Sequence, residues 1–228
     1  MATDSALATR IGEVRRKLVE DGPSRVRAGE DDFGRVSLPA QDCDVVRDLL
    51  IAERATTVVE IGLAYGSSAL AIGEALVAVG AVQPRHWIID PMQDTAFYDV
   101  GWDAIRAAGL ADIATLLRDR SQLALPRLVT EGVSADAAFV DGSHIFHEVF
   151  VDLYFLRRIV RPGGIVILDD HWWPSVAAAA RYYETNLGWV PISGASGTRD
   201  HATGQRRMRV LRLPDRLDEP SFKDFRPF

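Results

Sequence analysis

The feature that most limits how this chain can fold is a short β-branched run that ends in a glycine-spaced turn and passes at once into helical spacing. Val58, Val59 and Ile61 read as a buried strand, Gly62-Leu63-Ala64-Tyr65-Gly66 as the turn, and Ala69-Leu70-Ala71-Ile72-Gly73-Glu74-Ala75-Leu76 as a helix. Gly62 and Gly66 let the backbone turn sharply and approach a bound group with no Cβ in the way. A strand, a tight turn and a helix within so few residues is the opening unit of an α/β sheet. The crevice beyond the strand's carboxyl end is where such sheets take ligands.

The rest of the chain continues that alternation. The pattern predicts strands over Val58 to Ile61, Trp87 to Asp90, Ile113 to Leu117, Ala137 to Asp141, Ile165 to Leu168, Trp189 to Ile192 and Met208 to Leu213. With helices between them, these make an α/β fold: a single Rossmann-like, seven-stranded, mostly parallel sheet with helices on both faces. An amphipathic helix from about Ser5 to Glu20 carries Leu7, Ile11, Val14 and Leu18 on one side, and a second from Gln41 to Arg54 carries Val45, Val46, Leu49 and Leu50. Residues 1–56 are thus expected to form an N-terminal helical cap, residues 57–213 the core, and residues 214–228 a tail. Leu217, Phe222, Phe225 and Phe228 of the tail need a surface to bury against, on the same subunit or on the partner in a homodimer. The polar stretch 193–205 reads as a hairpin tip or as a lid.

Composition removes several classes of function. A chain of 228 residues with 47% hydrophobic content furnishes one sizeable core. Its formal net charge of -6 argues against non-specific binding to nucleic acid. No apolar run reaches the roughly 18 residues that suggest a membrane span, and the first residues lead into charges instead of an apolar stretch, so a cytoplasmic protein is expected. Cys43 stands alone, which leaves no partner for a disulfide within the chain.

The turn itself selects a kind of ligand. A dinucleotide fold wants G-x-G-x-x-G so that a pyrophosphate rests on the helix N-terminus, whereas Ala64 and Ser67 fill the second and third glycine positions here. Glu60 beside the turn would repel phosphate and attract a cation. S-adenosylmethionine carries a sulfonium and an ammonium and no phosphate. Glu60-Ile61-Gly62 through Gly66 resembles the first motif of the class I S-adenosylmethionine-dependent methyltransferases, an acid followed by G-x-x-x-G at the end of the first strand. Tyr65, Ser67 and Ser68 are then candidates for holding the methionine end of the donor. Asp90, closing the second strand, is a candidate for the ribose hydroxyls, its alternative being a cap or turn former before Pro91. Ser121 and Gln122 are similar to a Ser-Gln pair that lies along the adenine in the catechol O-methyltransferase branch.

A second group of acids falls at the carboxyl edge of later strands. Asp141 ends the fourth strand, and Asp169 and Asp170 end the fifth. Converging carboxylates repel one another unless a cation joins them, so a divalent ion is expected there, Mg2+ first and Mn2+ or Ca2+ after it. The wording Asp141-Gly142-Ser143-His144 with Asp169-Asp170-His171 resembles metal-dependent O-methyltransferases, in particular a bacterial group with D-G-x-H and D-D motifs acting on small-molecule or sugar hydroxyls. That resemblance implies Asp141, Asp169 and Asp170 as metal ligands, with Asp141 also bordering the donor. His144, three residues after Asp141, is the first candidate for general base, and His171 is its rival. The expected partner is a small-molecule acceptor such as a natural-product phenol, a catechol or a sugar.

Three other readings stay open at this point. A metal-free transfer to nitrogen or to a carboxylate would make the paired acids helix caps. An iron-dependent hydroxylase-like site would use His144, Asp169 and His171. A nucleoside-binding module would keep the fold without turnover.

Overall fold

A computed structural model describes residues 2–26, 32–194, 197–199 and 204–228. The chain packs as two compact units, residues 1–120 and 121–228.

The first unit opens with α1 (Ala2–Asp21), α2 (Asp32–Val36) and α3 (Ala40–Ala52), followed by β1 (Thr57–Ile61), α4 (Ser67–Val79), β2 (Arg85–Ile89), α5 (Val100–Ala107) and β3 (Ala114–Leu117). Its strands run in the order β3-β2-β1, all parallel, with Val59 opposite Trp87 and Trp87 opposite Thr115. Val58 and Val59 are fully buried, as a strand covered on both faces requires. Helices stand where spacing put the two amphipathic segments, and α1 and α3 both pack on α4. Ile11 and Leu18 of α1 join Leu70, Ile88, Ile105 and Leu110 in one apolar cluster. Burial of side chains of this size contributes about 1.5–3 kcal/mol each. The five-residue helix α2 was not legible from spacing, because it is too short to display a period. Between α1, the connection into α3 and the first turn of α4 lies a cavity of about 420 Å³, lined by Leu18, Phe33, Leu38, Cys43 and Leu70 among others. Burial pushes the Cys43 thiol up to about 12, so this cysteine is an inert part of the wall.

The second unit contains α6 (Ser121–Thr130), β4 (Ala135–Val140), α7 (Phe146–Ile159), β5 (Val160–Leu168), α8 (Pro174–Leu187), β6 (Val190–Pro191) and β7 (Arg209–Arg212). Here β4 pairs parallel with β5, while β7 runs antiparallel to both β5 and β6. The seven strands therefore form a mixed sheet, parallel except where β7 and β6 close the edge. Strand positions match the sequence reading to within a few residues, the largest extension being β5, which starts at Val160 instead of Ile165.

Two surface features follow from the sequence in this unit. The polar stretch after β6 begins and ends as a hairpin: Arg199 bridges Arg206 in antiparallel fashion, and Arg207 donates its backbone N–H to the Thr198 carbonyl at 2.9 Å. The tip, residues 200–203, lies outside the described residues, and with it the choice between tip and lid. The tail docks on its own chain. Arg157 of α7 reaches Glu219 and the Asp218 carbonyl at 2.6 Å each, and Asn186 of α8 exchanges two hydrogen bonds with the Arg226 backbone. Phe228 packs edge-on to Tyr182.

Candidate functional site

The donor turn is built from the end of β1 and the start of α4. Gly62 and Gly66 both sit at positive φ, 94° and 90°, where a side chain is strained. Ala64 between them also has positive φ, at 44°, so the turn holds a non-glycine residue in a costly conformation. What holds it is Asp90. One carboxylate oxygen accepts the N–H groups of Leu63 and Ala64 and the Gln93 side-chain amide, each at 3.0 Å, and the other accepts the Met92 N–H at 2.7 Å. Gln93 also donates to the Ala64 carbonyl at 2.7 Å. The acid expected to meet a ribose is thus, in the first place, the clasp that shapes the turn. Its oxygen Oδ1, with a single donor, retains acceptor capacity.

The neighbouring candidates are sorted by burial. Glu60 is fully buried, accepts the Ser68 hydroxyl at 2.6 Å, and lies 2.8 Å from Nε2 of the buried His86. Its neighbours are thus Ser68 and His86 inside the protein, and the buried carboxylate does not open to the surface. Tyr65 is also fully buried; its hydroxyl donates to Asp32 at 2.7 Å and its ring is boxed edge-on by Phe33 and Phe97. Tyr65 ties the cap to the turn. Ser67 and Ser68 open α4, the first half-buried and the second buried. Gly101 backs the turn so closely that a Cβ there would collide with the Ala64 carbonyl. In the second unit, Ser121 is the buried first residue of α6 and Gln122 is half-buried beside it. Near Ser121, burial pushes the Asp152 carboxyl up to about 7.

The acids of β4 and β5 gather only in part. Oxygens of Asp141 and Asp170 and a ring nitrogen of His144 lie within 4.8 Å of one another. His144 Nε2 is 3.0 Å from Asp170 and 3.6 Å from Asp141. These carboxylates hold the imidazole protonated, pushing its pKa up to about 10, while burial and the nearby Asp169 and Asp170 push Asp141 up to about 8. Ser175, in the first turn of α8, fixes the chain at His144 by donating to its carbonyl at 2.6 Å. Asp170 has φ 50° and so, like Ala64, holds a non-glycine residue in the left-handed region at a candidate site.

Asp169 departs from the expected metal set. Both its oxygens are taken by Arg207, whose Nε lies at 2.8 and 2.9 Å and whose Nη2 lies at 2.6 Å. Burial pushes this carboxyl up and the guanidinium pulls it back, so the charge persists because of the pair. Arg207 also stands 3.9 Å from Asp170 and over the Trp172 ring. Sequence reasoning missed this partner, which lies beyond a polar loop in a run of arginines. Burial lowers the His171 pKa, and the charges that act on it are Arg209, Glu184 and Arg181. Among the described residues, His144 gathers with Asp141 and Asp170 and not with Asp169 and His171, so the iron set does not assemble.

Comparison with known proteins agrees with this architecture. Residues 59–171 match the model of a family described as a methyltransferase domain. Among solved structures, the chain is similar to the O-methyltransferase TomG from Streptomyces achromogenes, involved in tomaymycin synthesis and bound to S-adenosylmethionine. The TM-score is 0.64 at 17% identity, covering 90% of this chain and 89% of that one. An O-methyltransferase from Bacillus cereus in complex with S-adenosylhomocysteine gives a TM-score of 0.66 at 15% identity, covering 93% and 97%. No protein of curated function matches the chain. The solved structures share the fold of this chain, and the segment matched to the methyltransferase domain runs from β1 to the end of β5. Among the described residues, no helix is long and apolar enough to cross a membrane.

Proposed function

We propose that the chain transfers the methyl group of S-adenosylmethionine to a hydroxyl oxygen of a small molecule in the cytoplasm, assisted by a divalent cation. The observation that carries this reading is the meeting of Asp141, Asp170 and His144. Two carboxylate oxygens leave room for the waters and substrate oxygen that Mg2+ prefers, so Asp141 and Asp170 fit such an ion, whereas Asp169 does not while Arg207 occupies it. Bound there, the ion would supply Lewis acidity toward the acceptor hydroxyl.

The chain's own residues account for the rest. The acceptor oxygen forms a bond to the sulfonium methyl carbon, the carbon–sulfur bond breaks, and S-adenosylhomocysteine leaves neutral at sulfur. Asp141 and Asp170 are the groups that hold the His144 proton, so with a cation engaging both carboxylates the imidazole would be freed to its neutral form, and Nε2, 3.0 Å from Asp170, would take the hydroxyl proton. Arg207 keeps Asp169 from adding a third uncompensated charge. No covalent intermediate with the protein is needed, because positioning two bound reactants recovers on the order of 7–11 kcal/mol of a bimolecular barrier. Phenols, catechols and sugar diols are the acceptor classes that suit this chemistry.

A metal-free version has one observation in its favour: Arg207 and a protonated His144 already offset most of the charge on the three acids. Radiolabelled methyl transfer to panels of phenols, catechols, sugars, amines and carboxylic acids separates the readings. Loss of O-methylation in EDTA, restored by Mg2+ or Mn2+, is the expected result; EDTA-insensitive transfer to amines or carboxylates would replace the proposal.

A further inference from the structure

Ala64 keeps its left-handed conformation only while both peptide groups that meet at its Cα are held in place. The group before it is held by Asp90, which accepts the Ala64 N–H at 3.0 Å. The group after it is held by Gln93, whose Nε2 donates to the Ala64 carbonyl at 2.7 Å and to Asp90 at 3.0 Å. Carbonyl and carboxylate oxygens only accept, so the Gln93 amide can face them in one orientation alone. That orientation leaves its Oε1 buried with no hydrogen-bond partner among the described residues. A buried glutamine that carries such a cost is there for its N–H groups.

The loop that carries Gln93 is itself strained. Tyr98 and Asp99 follow one another at φ 53° and 61°, and the Asp99 N–H donates to the Gln93 carbonyl at 2.6 Å. Two cations pin this pair: Arg118, just after β3, lies 2.6 Å from the Asp99 carboxylate, and the Arg25 guanidinium lies 3.7 Å from the centre of the Tyr98 ring. Strain persists where the surroundings over-determine it, and here the surroundings lead through Gln93 to the donor turn.

We propose that Gln93 is a positioning residue for the methyl donor, its amide preventing Ala64 from leaving the left-handed conformation in which the turn binds. This rests on the S-adenosylmethionine reading of the turn. For Ala64 to relax, the peptide group between it and Tyr65 must swing, and Gln93 ties down the carbonyl of that group. Without the amide, the relaxed turn becomes the commoner state of the free protein. Affinity then falls by the fraction of molecules that still hold the strained form.

Calorimetry with S-adenosylhomocysteine on a double-mutant cycle tests this. Gln93→Met keeps an unbranched side chain and removes the donor, so it is expected to weaken binding about five- to thirtyfold, the cost of one non-glycine residue in the left-handed region. A glycine at position 64 has no such cost. In the Ala64→Gly background, Gln93→Met should therefore weaken binding by less than about threefold. A lesion that merely loosened the core would weaken binding equally in both backgrounds. Arg118→Gln, at a part-exposed position, unpins Asp99 and should weaken binding about threefold with Ala64 in place and not with glycine there; it serves if Gln93→Met does not fold. Equal losses in the two backgrounds, or no loss in either, overturn the inference. A wild-type protein that does not bind S-adenosylhomocysteine would refute the donor reading itself.

Discussion

Replacing Arg207 by methionine removes the guanidinium and leaves the Asp169 carboxylate, whose side chain is 0% exposed, without its partner. Three hydrogen bonds of 2.6 to 2.9 Å are lost together. Removing one member of a buried ion pair costs about 3–5 kcal/mol, because the remaining charge is stranded. For a chain of this length each kcal/mol moves the melting temperature by about 2–4 °C, so Arg207→Met should melt about 6–20 °C below wild type at pH 8. The effect has a definite pH dependence. Burial already holds Asp169 above the usual carboxylate range, and losing Arg207 raises it further. An acid with a raised folded-state pKa carries no penalty below its unfolded value, near 3.9, and a growing one as pH rises toward the folded value. The deficit should therefore be smaller at pH 5 than at pH 8. Asp169→Leu combined with Arg207→Met removes both charges and should recover most of the loss, a coupling measured directly by a double-mutant cycle. Thermal unfolding followed by circular dichroism at the two pH values provides the data. A single variant melting within about 2 °C of wild type at pH 8, or a double variant no better than the single, would refute the account of a charge held in place by Arg207.

Asp141→Asn and Asp170→Asn should each abolish turnover while calorimetry still detects S-adenosylhomocysteine at wild-type affinity; parallel loss of binding would contradict a separate role for these acids. In cation-free protein the His144 imidazolium should persist to about pH 10, read by NMR titration of its ring protons, and a midpoint near 6.5 would mean that Asp141 and Asp170 do not hold it. Since that pKa is raised above the ordinary value, the stability it confers is complete below about pH 6.5 and disappears as pH passes through 10. His144→Gln should accordingly lower the melting temperature at pH 6 and leave it unchanged above the titration. Gly101→Ala places a methyl group against the Ala64 carbonyl, so it should weaken S-adenosylhomocysteine binding at least tenfold, while an unchanged dissociation constant would show that the turn can shift freely.

The parts of this molecule that could be read from the sequence are those encoded by near neighbours. The strand Val58 to Ile61, the glycine turn and the helix after it are set by contiguous spacing; the strand begins one residue earlier than the pattern puts it, and the helix runs two residues further at its start and three at its end. Asp141, His144 and Asp170 could be singled out because each follows a recognisable strand. The roles of the buried acids were not legible, since a carboxylate's role depends on which cation faces it. Arg207 reaches Asp169 from 38 positions away, and His86 meets Glu60 across two adjacent strands. A weak signal for His86 existed: a histidine among apolar strand residues, beside a strand that carries a buried acid. Asp90 was identified as an acid of the site, but its hold on Leu63 and Ala64 depends on the path of a backbone that spacing does not specify.

The docked tail has a practical consequence. Phe150, Tyr182 and Tyr183 stack on the helices beneath it, and Phe228 caps that stack through Tyr182. A preparation clipped by protease after Pro214 would lose the anchors at Glu219 and Arg226 and uncover the Tyr182 edge of that stack. Such trimmed material should self-associate on storage, which recommends placing affinity tags at the opposite terminus.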